Sequence, residues 1–289
     1  MSRESGLILQ GGGMRGAFTA GVLDVFMEKG IEFPYVIGTS AGALNGVNFI
    51  SRDIGRGKYV TCELIGDKRF ISLRNLLLKK SLFDFKYLLF TLPEKNILPF
   101  SNETFDKSDV EFLAATTSMD DGKAVYFKKG ECKDFWNAVA ASSSLPLLAK
   151  PVEVEGKLYL DGGPSASIPF RKALQDGVKK LVIIGTREPG FRKGPLKESR
   201  IRLCNRFYHA YPHFCKVYAN LVEEYNDEAA EMEALQKGGK AFVIQPESPV
   251  KVSQTERDRK ALLELYEEGR RIAEKNLSDL KEFLGNSHE

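Results

Sequence analysis

At 289 residues with 43% apolar side chains, the chain is long enough to bury a large core in one domain or at most two, and one is expected over residues 1–289. A net charge of +3, from 42 Lys and Arg against 39 Asp and Glu, is too small to point to nucleic acid as a partner. No window holds the roughly 18 uninterrupted apolar residues of a membrane span, and the N-terminus lacks the basic and then apolar order of a secretion signal, so a cytoplasmic location is expected.

Gly6-Leu7-Ile8-Leu9-Gln10 reads as a short buried strand running into the glycine loop Gly11-Gly12-Gly13-Met14-Arg15-Gly16. Phe18, Val22, Val25 and Phe26 then fall near one face at helical spacing, so the loop opens a helix N-terminus. Backbone N–H groups without intrahelical partners, in a loop with no side chains to obstruct approach, form an anion-binding geometry. Arg15 sharpens that reading. A cation in the first turn opposes the helix dipole by about a few tenths of a kcal/mol and calls for an anionic partner, either a carboxylate of the fold or a ligand. Gly11, Gly13 and Gly16 also satisfy G-x-G-x-x-G, so a dinucleotide-binding unit has to be weighed. The second strand, Tyr35-Val36-Ile37, ends in Gly38-Thr39-Ser40 rather than in the acidic residue that holds a ribose, and no Gly-Lys-Ser or Gly-Lys-Thr follows the glycines.

Gly38-Thr39-Ser40-Ala41-Gly42 reads as a serine nucleophile on a sharp strand-to-helix turn, with small flanking residues that let the backbone reverse. Ser40 then sits at a helix N-terminus, where partial positive charge favours the negative charge developing during attack. A plain βα turn with a helix-capping serine fits the same five residues. Residues 70–100 crowd Leu73, Leu77, Leu78, Phe83, Phe85 and Phe90 among Arg74, Lys79, Lys80 and Lys86. Such a segment is either a lid over an acyl channel or a set of helices packed on the sheet, and packing is expected.

Strands are expected at 111–117 and 124–127 and a helix at 133–143, followed by a hairpin over 152–160 that turns at Glu155-Gly156. Asp161-Gly162-Gly163 closes the hairpin. By itself an Asp-Gly pair is a turn. A helix at 168–176 and a strand at 181–185 follow, and residues 188–197, with Pro189, Gly190, Gly194 and Pro195, are the best linker candidate. Arg192, Lys193, Lys197, Arg200, Arg202 and Arg206 precede Phe207-Tyr208-His209-Ala210-Tyr211, mixing cations with aromatic rings as membrane-surface contacts do, or as a solvated linker does. Amphipathic helices over 219–236 and 256–283 flank a strand at 241–244, and the alternation as a whole predicts an α/β fold. Cys62, Cys132, Cys204 and Cys215 show no C-x-x-C spacing, which suits reduced thiols.

Three of these segments together resemble the patatin-like phospholipase family, whose pattern is a G-G-G-x-R-G loop, a G-x-S-x-G elbow and a D-G-G or D-G-A aspartate; they stand here at Gly11–Gly16, Gly38–Gly42 and Asp161–Gly163. Ala141-Ser142-Ser143-Ser144-Leu145-Pro146 also looks like the family's A-S-x-x-x-P segment. The resemblance runs from about residue 6 to 185, and residues 195–289 form an extension without a motif. It implies a central, mainly parallel sheet flanked by helices in three layers, related to the α/β-hydrolases, with a nucleophile elbow. It also implies hydrolysis of ester bonds of phospholipids or related lipids by a Ser-Asp dyad and an acyl-enzyme, with Ser40 as nucleophile and Asp161 as base. The oxyanion would lie against the backbone N–H groups of Gly11, Gly12, Gly13 and Ala41, with Arg15 as a supporting charge.

The histidines independently favour a dyad: His288 is next to last, and His209 and His213 lie in an aromatic, basic stretch interrupted by Pro212, where neither is placed as a base. Their spacing lacks H-E-x-x-H, so neither a metal nor a cofactor is expected. The expected partners are a phospholipid or other lipid ester and, peripherally, a membrane surface. A free Asp titrates near about 3.9, so a desolvated site is needed to make Asp161 a useful base. Two alternatives stand beside this reading, a nucleotide-binding protein using the Gly11–Gly16 loop for phosphate and a catalytically silent scaffold of the same fold. The first leaves Asp161 without a role.

Overall fold

The apolar runs of the sequence pair into one eight-stranded sheet in a computed structural model that describes residues 3–285. β1 (Ser5–Leu9) lies between β2 (Tyr35–Thr39) and β7 (Lys180–Ile184), parallel to both; β3 (Glu111–Ser118) continues the parallel ladder beyond β2, and β8 (Ala241–Ile244) continues it beyond β7. β4 (Ala124–Lys128), β5 (Val152–Val154) and β6 (Lys157–Asp161) join by antiparallel pairing. The mainly parallel character is the one that the resemblance implies, and the strands suit it, since a parallel strand covered on both faces is a continuous apolar run, as Leu7-Ile8-Leu9 and Leu181-Val182-Ile183-Ile184 are.

Period-two alternation divides those runs between two cores. Leu7, Leu9, Val36, Val182 and Ile184 face one, while Ile8, Ile37, Leu181 and Ile183 face the other. The first face is covered by helices α1 (Gly16–Glu28) and α2 (Ala41–Ile50) together with residues from 60–105. Further along the chain lie α3 (Leu73–Lys79), α4 (Phe135–Ser142), α5 (Phe170–Gln175), α6 (Glu198–Phe207), α7 (Pro212–Ala219), α8 (Leu221–Lys237), α9 (Arg259–Lys275) and α10 (Leu277–Leu284). The second core packs on α5 and α8 through Phe170, Tyr225 and Met232. α9 returns to α1, where the Tyr266 hydroxyl donates to Asp24 at 2.6 Å and Arg270 pairs with Glu28 at 2.8 Å. The amphipathic stretch 256–283 begins its helix at Asp258, which caps Lys260 and Ala261 N–H, and breaks at Asn276 into α9 and α10.

Most of residues 70–100 packs as expected, with Phe70, Ile71, Leu82, Phe83, Phe85 and Leu88 in the main core. One face does not. α3 leaves Leu73, Leu77 and Leu78 exposed at 67%, 81% and 70%. Residues 188–197 lack regular structure, as a linker would, but they are tied down by bonds between Lys193 and Asn226 and by the Arg192–Glu233 pair. All four cysteines are free thiols, although the buried pair Cys204 and Cys215 approaches to 4.0 Å between sulfurs. Among the described residues no helix is long and apolar enough to cross a membrane.

Candidate active site

β3 brings the two candidate catalytic side chains together. β4 holds one edge of β3 from Leu113 to Thr117, and the opposite edge is divided between two strands. β2 pairs with it as far as Thr39 opposite Ala115, and β6 takes over at the next residue, with Asp161 opposite Thr116. The end of β2 therefore abuts the end of β6. Ser40, one residue beyond Thr39, donates its hydroxyl to Asp161 Oδ2 at 2.6 Å.

The turn that presents Ser40 is sharp enough to exclude larger neighbours. A Cβ on Gly38 would lie 2.5 Å from the Gly42 carbonyl carbon, and one on Gly42 would lie 2.3 Å from the Leu9 carbonyl oxygen. Ser40 itself holds φ at 82°, a conformation that non-glycine residues adopt only when their surroundings over-determine it. Those surroundings are the three serines after α4 begins its last turn. Ser142 Oγ accepts the Ser40 N–H at 2.9 Å, Ser143 Oγ donates to the Ser40 carbonyl at 3.3 Å, and the Ser144 carbonyl accepts the Asp161 N–H at 2.9 Å. One segment thus holds the backbones of both Ser40 and Asp161. The sequence marked these serines only by resemblance and gave them no role.

Asp161 is buried, and its second oxygen accepts the Gly163 N–H at 2.7 Å. Burial raises its carboxyl from 3.8 to about 6, against the lowering effects of the Ser40 and Gly163 hydrogen bonds and of the Lys193 charge. The desolvation that a useful base requires is therefore present. At neutral pH the group is still ionised, and it is a stronger base than an ordinary aspartate.

The glycine loop reaches the same cavity, with one correction to its expected donors. Gly11 N–H is spent on the Ser167 carbonyl at 3.0 Å, so it cannot also face a substrate oxygen. Gly12, Gly13 and Ala41 N–H find no partner among the described residues, which leaves them available. Arg15 is buried, pairs with no carboxylate among the described residues, and leaves its Nε without a partner. The carboxylate partner considered for it does not exist there.

Two cavities meet at Ser40. The larger, about 620 Å³, takes in Asp161, Gly11–Gly13 and Arg15 and is lined also by Arg187, Lys193 and Gln254. The smaller, about 60 Å³, is apolar and is closed by Phe70, Phe83 and Phe85. The histidines stay out of both. His209 and His213 are exposed and line neither cavity, and His288 lies outside the described residues. The basic run is likewise redistributed, because Lys193, Lys197 and Arg200 line the larger cavity while Arg192 and Arg202 are taken by Glu233 and Glu198. Convergence of Ser40, Asp161 and the glycine loop on one point is the arrangement that a nucleotide site does not need.

A family model described as patatin-like phospholipase matches residues 7–174, and a second, described as a domain of unknown function (DUF6363), matches residues 211–285. The uncharacterized protein YjjU of Escherichia coli is 34% identical over 186 residues, covering 62% of this chain and 51% of that protein. Lysophospholipase nte1 of Aspergillus terreus is 30% identical over 193 residues, covering 64% of this chain but only 12% of that protein. Among solved structures, VipD from Legionella pneumophila superposes with a TM-score of 0.52 at 12% identity, over 96% of this chain and 67% of that one, a likeness of fold alone.

Proposed function

The chain belongs to the patatin-like phospholipase family, and from that membership we propose that it is a serine acyl hydrolase cleaving ester bonds of phospholipids or related lipids. The observation that carries this reading is the 2.6 Å hydrogen bond from Ser40 to Asp161 in a cavity that Gly12 and Gly13, with unpartnered N–H groups, also line, while Ala41, likewise unpartnered, lines the adjoining apolar cavity.

In the proposed reaction Asp161 Oδ2 takes the Ser40 proton as Oγ bonds to the ester carbonyl carbon. The carbonyl oxygen becomes an oxyanion beside Gly12, Gly13 and Ala41, and each well-aimed donor of this kind contributes roughly 3 kcal/mol in the transition state. Asp161 then returns the proton to the departing alcohol as the C–O bond breaks. Water, activated by the same carboxylate, releases the acid from the acyl-enzyme. The apolar cavity under Phe70, Phe83 and Phe85 suits the acyl chain, and the exposed leucines of α3 beside it suit contact with a lipid surface. Nucleic acid has no part in this reading, and the expected setting is the cytoplasm with peripheral membrane contact.

The test is labelling by a fluorophosphonate probe alongside turnover of a short-chain ester. Wild-type protein should label and turn over, Ser40→Ala should do neither, and Asp161→Asn should lose turnover while remaining folded. Undiminished labelling of Ser40→Ala would reject the nucleophile, and undiminished turnover by Asp161→Asn would reject the base.

A further inference from the structure

Most arginines of this chain are spoken for. Arg3 pairs with Glu111, Arg171 with Glu224 and Glu231, Arg192 with Glu233, Arg259 with Glu63 and Arg270 with Glu28. Arg15, Arg187 and Lys193 are different. All three line the larger cavity without an ion pair among the described residues, and they are buried or half-buried there, whereas Lys197 and Arg200, which also line it, are exposed. Arg15 is only 7% exposed, and its Nε has no hydrogen-bond partner. Arg187 spends one nitrogen on the Val250 carbonyl at 2.8 Å and rests on the Phe191 ring at 4.3 Å, so its position is set by packing and not by an opposite charge. Lys193 sits over the Tyr225 ring at 3.9 Å.

Three carboxylates lie near these charges and none bonds them: Asp161 is held by Ser40 and Gly163, and the other two are turned elsewhere. Glu188 accepts the Val250 N–H and Glu228 accepts the Ile168 N–H. The three cations also feel one another. Burial and then Arg187 draw the Arg15 guanidinium down to about 10, and burial and then Arg15 draw the Lys193 ammonium down to about 8. Three cations gathered in a half-desolvated space, none of them in an ion pair, destabilise the fold unless a further anion joins them.

We propose that Arg15, Arg187 and Lys193 form a cradle for the phosphate of the substrate's head group, in the larger of the two cavities that share Ser40. The inference rests on the acyl hydrolase reading and extends it to a substrate class: acyl esters carrying a phosphate near the scissile bond are preferred over neutral acylglycerols. Two guanidinium groups and an ammonium supply the planar forks and the point charge that a phosphate's oxygens accept. Arg187 and Lys193 lie beyond the segment matched by the patatin-like model, at residues 7–174, so this part of the cradle belongs to the loop that follows β7.

The experiment compares kcat/KM on lysophosphatidic acid and on a monoacylglycerol of the same acyl chain, for wild type and for the double variant Arg187→Gln/Lys193→Gln. The loss expected on the phosphate-bearing lipid is roughly 30-fold or more, against less than about threefold on the neutral one. The charge-preserving variant Arg187→Lys/Lys193→Arg should recover most of the difference. Equal losses on both lipids, or none on the phosphate-bearing one, overturn the cradle. Calorimetric binding of sn-glycerol 3-phosphate to the Ser40→Ala chain does not depend on turnover, and it should weaken at least about tenfold with the double substitution. Should wild type hydrolyse neither lipid, the hydrolase reading fails and this binding alone decides the cradle. Inorganic phosphate binding as tightly as glycerol 3-phosphate, with no preference between the lipids, would assign the cations to free anion and overturn the head-group role.

Discussion

Asp161→Asn should make the protein more stable while removing its activity, and the gain should depend on pH in a defined way. The wild-type carboxyl is raised from 3.8 to about 6, chiefly by burial. A carboxyl raised on folding favours the folded state while protonated, so that contribution is present below the unfolded pKa and lost as pH rises through the folded one. A rise of that size amounts to about 3 kcal/mol of destabilisation at pH 7, shrinking below about 1 kcal/mol near pH 4. Asparagine keeps an oxygen for the Gly163 N–H and a donor for Ser40 Oγ without carrying a buried charge, so it should recover that energy. With about 2.1 cal/mol/K of unfolding entropy per residue over 289 residues, about 3 kcal/mol corresponds to a Tm increase of about 5 °C. Differential scanning calorimetry of both proteins from pH 4 to pH 8 measures it. A Tm difference that stays flat across that range would refute the claim that Asp161 is a strained, desolvated base. The activity of wild type should fall on the acidic side with a midpoint near pH 6.

Ser142→Ala removes the acceptor of the buried Ser40 N–H and should destabilise the fold by about 1–3 kcal/mol, with a matching fall in turnover. Ser144→Ala serves as its control, because among the described residues the Ser144 hydroxyl bonds only the Ala140 carbonyl and Asp161 is held by the Ser144 backbone; urea unfolding should separate the two variants. Gly42→Ala drives a methyl group to 2.3 Å from the Leu9 carbonyl oxygen and should cost more than about 2 kcal/mol, or prevent soluble expression, as read by the yield and Tm of the purified protein. Replacing Leu73, Leu77 and Leu78 together with Ser should lower partition onto phosphatidylcholine vesicles in a sedimentation assay while leaving turnover of a soluble short-chain ester within about twofold.

Features written into consecutive residues are legible in the sequence itself. Gly38 and Gly42 announce the elbow because the backbone passes too close for any side chain, and Glu155-Gly156 announces the hairpin because both residues take positive φ, 49° and 80°. Strand β8 falls on the expected residues, and the helices expected at 133–143 and 168–176 appear as Phe135–Ser142 and Phe170–Gln175, trimmed at their ends. Partnerships set by strand register are not legible in that way. Nothing near Asp161 says that β6 succeeds β2 along one edge of β3, and nothing near Gly11 says that Ser167 will claim its N–H. The basic run at 192–206 is only partly legible for the same reason: charge clustering in sequence does not reveal which side chains find carboxylates and which line the cavity.

The glycine loop shows how far apart the determinants of one local geometry lie. Its Met14 N–H donates to the Gln254 carbonyl at 3.1 Å, and a Cβ on Gly13 would fall 2.4 Å from that same oxygen, so the loop is shaped against residues in the last part of the chain. Gln10, just before the loop, donates to the Tyr225 hydroxyl at 3.2 Å and accepts the Thr186 N–H at 2.8 Å. Arg187 is steadied by Val250. Each of these bonds runs from the neighbourhood of Ser40 into residues beyond the patatin-like match, and three of the partners, Tyr225, Val250 and Gln254, fall within the segment matched to a domain of unknown function. Removing that segment would leave the Met14 amide without its acceptor and strip the cavity of one wall, so the donors proposed for an oxyanion and the cations proposed for a phosphate depend on it together.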